Sequence, residues 1–198
     1  MWQALYEELA GAGLMVITVA LDKSPDDARP WIEAARPTHP SLIDTRHVLA
    51  DLYNIVNVPT SLWIDEAGRI VRPNDVAFGT DTFRHITSVD SAKYLAALRA
   101  WVWGDAPGSR PPQRPPVPRE TDQQARAEFG LAEWLWEQGR PEAAERHFVR
   151  AGELAPHDFT IRRGSMPMRG IDPMGPTFRE MIMTWAQAGN RYYNPLPE

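Results

Sequence analysis

Cysteine is absent from all 198 residues. Without a thiol the chain cannot form a disulfide, hold zinc or an iron-sulfur cluster through sulfur, or attack a disulfide with a thiolate. Long apolar runs are missing too: the longest are strand-sized, far short of the roughly 18 residues a bilayer requires, so no membrane segment is expected. The opening residues Met1-Trp2-Gln3-Ala4-Leu5-Tyr6-Glu7-Glu8 carry acids where a secretory leader has a basic end and an apolar core. The chain as given is expected in the cytoplasm. Positive charge is short as well. A net charge of −5 and a pI near 5.6 leave no basic field for a phosphate backbone, which excludes nucleic acid as an expected partner. Gly164, Gly170 and Gly175 are irregularly spaced and precede no strand, so no phosphate loop is present. No Gly-x-Ser-x-Gly elbow frames a hydrolase serine. No cofactor is implied and no catalytic residue is assigned.

What is present is a globular composition, 43% apolar, long enough for one ordinary domain and a small second one. Residues 2 to 10 carry Leu5 and Leu9, and Trp2 and Tyr6, at one-turn spacing, and Gly11 and Gly13 end the pattern; this predicts a helix. Leu14 to Leu21 is a nearly unbroken, β-branched run, the pattern of a strand covered on both faces. Asp22-Lys23-Ser24-Pro25-Asp26-Asp27 offers a cap, a proline at the first helical position and acids for the dipole, predicting a helix through Ala35 whose start Pro30 can shift. Pro37 and Pro40 bracket a loop into a short strand, Ser41-Leu42-Ile43, then Asp44 and a short helix ending near Tyr53. Strand-like segments 60–65 and 69–72 flank Glu66-Ala67-Gly68 and predict a hairpin. Asp90 caps a helix with an apolar stripe of Tyr94, Leu95, Leu98, Trp101 and Val102, ending at Gly104. Alternating strands and helices give the fold class, α/β.

Residues 105–120 are rich in proline and arginine and read as an extended spacer between two units. Residues 122–155 read as two helices with Gly139-Arg140-Pro141 as their turn, and a further helix is expected at about 177 to 188. The expected division is a domain over 1–104, a linker over 105–120 and a helical region over 121–198.

The order helix, strand, helix, short strand, helix, hairpin, helix resembles a thioredoxin-like fold of the TlpA/ResA type, over roughly residues 1 to 80. The residues that carry the likeness are Leu14 to Asp22, Trp31, Ser41-Leu42-Ile43-Asp44, Leu49-Ala50-Asp51-Leu52-Tyr53, and Val58-Pro59-Thr60-Ser61-Leu62-Trp63-Ile64-Asp65-Glu66-Ala67-Gly68-Arg69-Ile70. The resemblance implies a thiol-disulfide oxidoreductase whose cis-proline is Pro59, with Val58 presenting backbone groups to an extended polypeptide beside Thr60. Asp22 matches an acidic position near the family's redox pair. Substrate-binding residues by resemblance are therefore Val58, Pro59, Thr60 and Asp22, and the expected partner is a polypeptide in that groove. The family's first strand and its Cys-x-x-Cys are both missing, and residue 1 falls inside the helix that follows them. The missing strand is central, between the strands at 14–21 and 60–65. Either the natural protein begins further upstream, the preferred account, or the two strands close up and pair directly. The chain as given is expected to be inert in disulfide exchange; a longer parent of this family is often extracytoplasmic. The alternative function is a non-catalytic module that holds another polypeptide.

Leu131, Ala132, Leu135, Gly139, Ala144, Phe148, Ala151 and Pro156 fall in order at the small and large positions of a tetratricopeptide repeat, which the helical hairpin resembles. His39, Asp44 and His47 compose a weak metal set; surface histidines are the preferred reading, and no metal is assigned. Met166, Met168, Met174, Met181 and Met183 read as filling of an irregular core.

Overall fold

A computed structural model describes residues 1–76, 81, 84, 90–104 and 117–190. The fold is mixed α/β, mostly helical, with two small sheets and a helical C-terminal region. In chain order the elements are α1 (Trp2–Leu9), β1 (Thr18–Ala20), α2 (Pro25–Ala35), β2 (Ser41–Ile43), α3 (Val48–Leu52), β3 (Thr60–Ile64), β4 (Ile70–Val76), α4 (Ser91–Trp103), α5 (Glu120–Glu137), α6 (Pro141–Leu154), α7 (Phe159–Gly164) and α8 (Pro176–Gln187). Among the described residues no helix is long and apolar enough to cross a membrane. The stretch 105–116 of the expected spacer lies outside the described residues, and Glu120, its last residue, is already helical. The Asp122 carboxylate accepts from the Arg119 backbone amide and guanidinium at that helix start, which lies two residues before the apolar pattern begins.

Local chemistry sets most boundaries. Ser24 accepts from the Asp26 amide and Pro25 opens α2, which runs through Pro30 without a new start. Asp44 accepts from the amides of Val48, Leu49 and Ala50, satisfying donors that a helix start leaves unpaired. Asp65 accepts from the amides of Ala67 and Arg69, and Gly68 takes φ of 74°, a turn that a side chain resists. Asp90 accepts from Ala92 at the start of α4, and Gly104 closes it at φ of 73°.

β1 pairs in parallel with β2, Thr18 opposite Ser41, while β3 pairs antiparallel with β4. The length of the first strand and its expected cover are corrected. The strand expected over 14–21 is three residues long, because its ladder extends no further than its partner β2. Among the described residues β1 and β3 lie in separate two-stranded sheets, so the two strands do not close up on each other. Met15 and Ile17 are 56% and 57% exposed, where the sequence pattern expects cover.

Separate buried clusters hold the described residues together. Leu5, Leu9 and Leu98 are buried together with Trp2, Leu14, Trp63, Leu95, Trp101 and Val102 against them. α1 and α4 thus cover β3, where Trp63 stacks on Trp101 at 5.2 Å. A bidentate Arg99–Glu8 pair at 2.6 and 2.8 Å ties the same two helices. In the helical region Ala125, Phe129, Ala132, Leu135, Ala144, Phe148, Ala151, Ala155 and Ile161 are buried together. The alanines let α5 and α6 approach closely around the two phenylalanines. Met166 is buried with Phe159 and Phe178, and Met168 and Met181 pack on the helical cores, whereas Met174 and Met183 are exposed.

Phe148→Ala is expected to cost about 3–5 kcal/mol, read by denaturant unfolding; a loss under 1 kcal/mol would refute the packing described. Among the described residues β1 pairs only with β2, and such an edge predicts self-association, which Ile17→Lys should reduce in sedimentation equilibrium. A wild-type protein that stays monomeric at the highest soluble concentration would rule this out.

Candidate functional site

The predicted site residues fall at two strand ends. Asp22 lies two residues past β1 and is half-buried; Val58 and Pro59 are exposed directly before β3, and Thr60 opens that strand. The Val58–Pro59 peptide bond is cis. Among the described residues β1 and β3 belong to different sheets, so Asp22 and the Val58–Thr60 step flank strands of separate ladders.

The helical region meets both strand ends. The Val56 carbonyl, two residues before Val58, accepts from the backbone amides of Phe159 at 2.7 Å and Thr160 at 3.3 Å. These are the first two amides of α7, donors without an intrahelical partner. Asp158 caps the same turn, accepting from Thr160 and Ile161. Arg126 of α5 spans the end of α3: Nε lies 3.1 Å from Asp51 Oδ1, one terminal nitrogen donates to the Asp51 carbonyl at 3.2 Å, and the other donates to Asn54 Oδ1 at 2.7 Å. His47 stacks on Phe129 at 5.9 Å. On the β1 side, Lys23 Nζ sits 4.2 Å over the Trp136 ring, 3.0 Å from Met168 Sδ and 3.9 Å from Glu137. Trp136 and Met168 also line an open pocket of about 410 Å³ with Glu142, Phe148 and Arg169.

Sequence reasoning missed Lys23, Val56, Arg126 and Glu133. A signal for three of the interface positions exists: Arg126, Glu133 and Glu137 recur at spacings of seven and four along α5, one stripe beside the buried Ala125, Phe129 and Ala132. Glu133 is half-buried on that stripe, and burial pushes its carboxyl up to about 7; Lys23 opposes this, and Glu137 and Asp51 add to it. Burial also raises Asp51 against the pull of Arg126 and His47. Asp158, 2% exposed, is raised for the same reason despite the hydrogen bonds it accepts.

The weak metal set does other work. His39 is 7% exposed, its ring meets Tyr6 edge-on and its Nδ1 lies 3.2 Å from the Pro40 carbonyl. It is therefore not the surface histidine expected, since the loop before β2 folds it against α1. Asp44 caps α3 and His47 is committed to Phe129. Among the described residues no three histidines or acids are grouped to hold a metal ion.

A carboxyl with a raised pKa binds its proton more tightly in the folded state. Its contribution is present at low pH and falls as pH rises from the ordinary value of 4.5 toward 7. Glu133→Gln should flatten that decline, so that the fall in Tm from pH 5 to pH 8 is smaller than in the wild type. Equal falls in both proteins would show that Glu133 is not buried in the fold as described.

Comparison of the chain with family models, with curated proteins and with solved structures finds no match.

Proposed function

We propose that the α/β part is a thioredoxin-like polypeptide-holding unit of the TlpA/ResA oxidoreductase type, which in this thiol-free chain binds an extended polypeptide without reacting with it. The observation that carries the reading is the order of strand pairing. A parallel β2–β1 pair and an antiparallel β3–β4 pair stand as separate sheets, the arrangement left when a sheet of this kind lacks its central strand. The exposed Val58–Pro59 step at the mouth of β3, and Asp22 just past β1, agree with it. The disulfide chemistry of that family belongs to a pair of thiols, and this sequence has none. What remains is a surface where the Val58 backbone can pair with a strand-like guest, the mode in which main-chain hydrogen bonds supply affinity and side chains supply selection. The helical hairpin, which resembles a tetratricopeptide unit, supports a role in holding polypeptides rather than small molecules.

The test is binding of a fluorescein-labelled, reduced and carboxymethylated insulin B chain, an extended polypeptide without free thiols, followed by anisotropy. The wild type is expected to bind, and Val58→Pro, which deletes the amide that pairs with the guest, to bind about tenfold more weakly, in line with one lost hydrogen bond. Equal binding by both proteins, or none by the wild type, would defeat the proposal. For the oxidoreductase parentage, insulin reduction by a form extended upstream to the next in-frame start, with none by this chain, is the expected result; inactivity of both favours a binding module.

A further inference from the structure

Where α5 meets the α/β part, the charges do not balance. Arg126, Glu133 and Glu137 stand along one stripe of the helix. Against them the loop after β1 supplies Lys23, and α3 with the residues before it supplies Asp51, Asp44 and His47. Most of these groups are committed. Arg126 Nε lies 3.1 Å from Asp51 Oδ1, and its terminal nitrogens donate to the Asp51 carbonyl and to Asn54. Lys23 Nζ lies 3.9 Å from Glu137 and 4.2 Å over the Trp136 ring. Asp44 accepts from the first amides of α3, and His47 stacks on Phe129. Glu133 is left over: it is half-buried, and among the described residues no hydrogen bond or ion pair reaches its carboxyl.

A carboxylate in this place gives up water and gains no donor in return. Glu137 and Asp51 repel its charge and Lys23 offsets them only in part. The neutral acid carries neither cost. If the helical region lifts away, water reaches the carboxyl and the ionised form is restored, so the closed and open arrangements bind the same proton with different strength. Burial raises Glu133 to about 7, so closure is favoured most below the ordinary 4.5 and the advantage is lost as pH rises through about 7. Asp51, also raised by burial, acts in the same direction.

We propose that the contact between α5 and the α/β part is a proton-gated joint, closed over a neutral Glu133 and loosened when Glu133 ionises between Asp51 and Glu137. The gate acts on docking and not on folding. Leu5, Leu9 and Leu98 form one core and Ala125, Phe129 and Phe148 belong to another, so each part keeps its own packing when the joint opens. The joint works whether or not a polypeptide binds at Val58.

With no cysteine in the chain, two dyes can be placed at chosen sites. Ala34→Cys on α2 and Glu153→Cys on α6 are both exposed and neither belongs to the joint; they report on docking by single-molecule energy transfer in the full chain. Between pH 5.5 and pH 8.5 the population with lower transfer is expected to grow at least about tenfold, with far-UV circular dichroism unchanged. Glu133→Gln, which stays neutral, should keep the pH 5.5 distribution at both values. Glu133→Ala, which removes the carboxyl, makes the same comparison if circular dichroism shows the glutamine variant misfolded. A wild-type distribution that ignores pH, or a folded variant that shifts as the wild type does, would overturn the joint. So would loss of helical signal over the same range, which would mean unfolding in place of opening.

Discussion

A buried backbone amide or carbonyl must find a partner, and in this molecule one carbonyl meets that demand for two units at once. Val56 lies in the loop that delivers the chain to β3, and its carbonyl accepts the first two amides of α7. Helix starts carry donors with no intrahelical acceptor; the loop supplies one. Asp158 shares the Thr160 amide and also accepts from Ile161, and it is itself deeply buried. The polar contacts of Arg126 with Asp51 and of Lys23 with Glu137 tie two further points of the α/β part to the helical region.

The two units differ in how they are held. In the helical hairpin four buried alanines bring α5 and α6 together around Phe129 and Phe148, with Ile161 of α7 and the His47 ring packed on them. The α/β part depends on its helices. Its strands form two short ladders, and burial comes from α1 and α4 closing on Trp63 with Leu5, Leu9 and Leu98. Strand burial that a complete sheet would supply is replaced here by helix packing, and the apolar residues before β1 stay exposed.

The junction is also where charge is concentrated. Lys23, Asp51, Arg126, Glu133 and Glu137 meet there, and burial makes the carboxyls of Glu133 and Asp51 harder to ionise. Ion pairs of this kind fix geometry more than they add stability.

The sequence alone determined the elements. Caps at Ser24, Asp44 and Asp90, the turn at Gly68 and the opening prolines at Pro25 and Pro141 act within a few residues of themselves, so their effect is written locally; the short helix Phe159–Gly164 behind the Asp158 cap was not read from the sequence. The apolar stripe of α4 and the alanine and phenylalanine rows of α5 and α6 were legible for the same reason, since helical periodicity states which face is buried. Tertiary structure alone decided the length of β1, which its partner strand limits, and the burial of His39 by a helix thirty positions away in the chain. It also decided the union of Lys23, Val56 and Arg126 into one junction. Those contacts join residues far apart in sequence, and no local propensity encodes a pairing that exists only once both surfaces have folded.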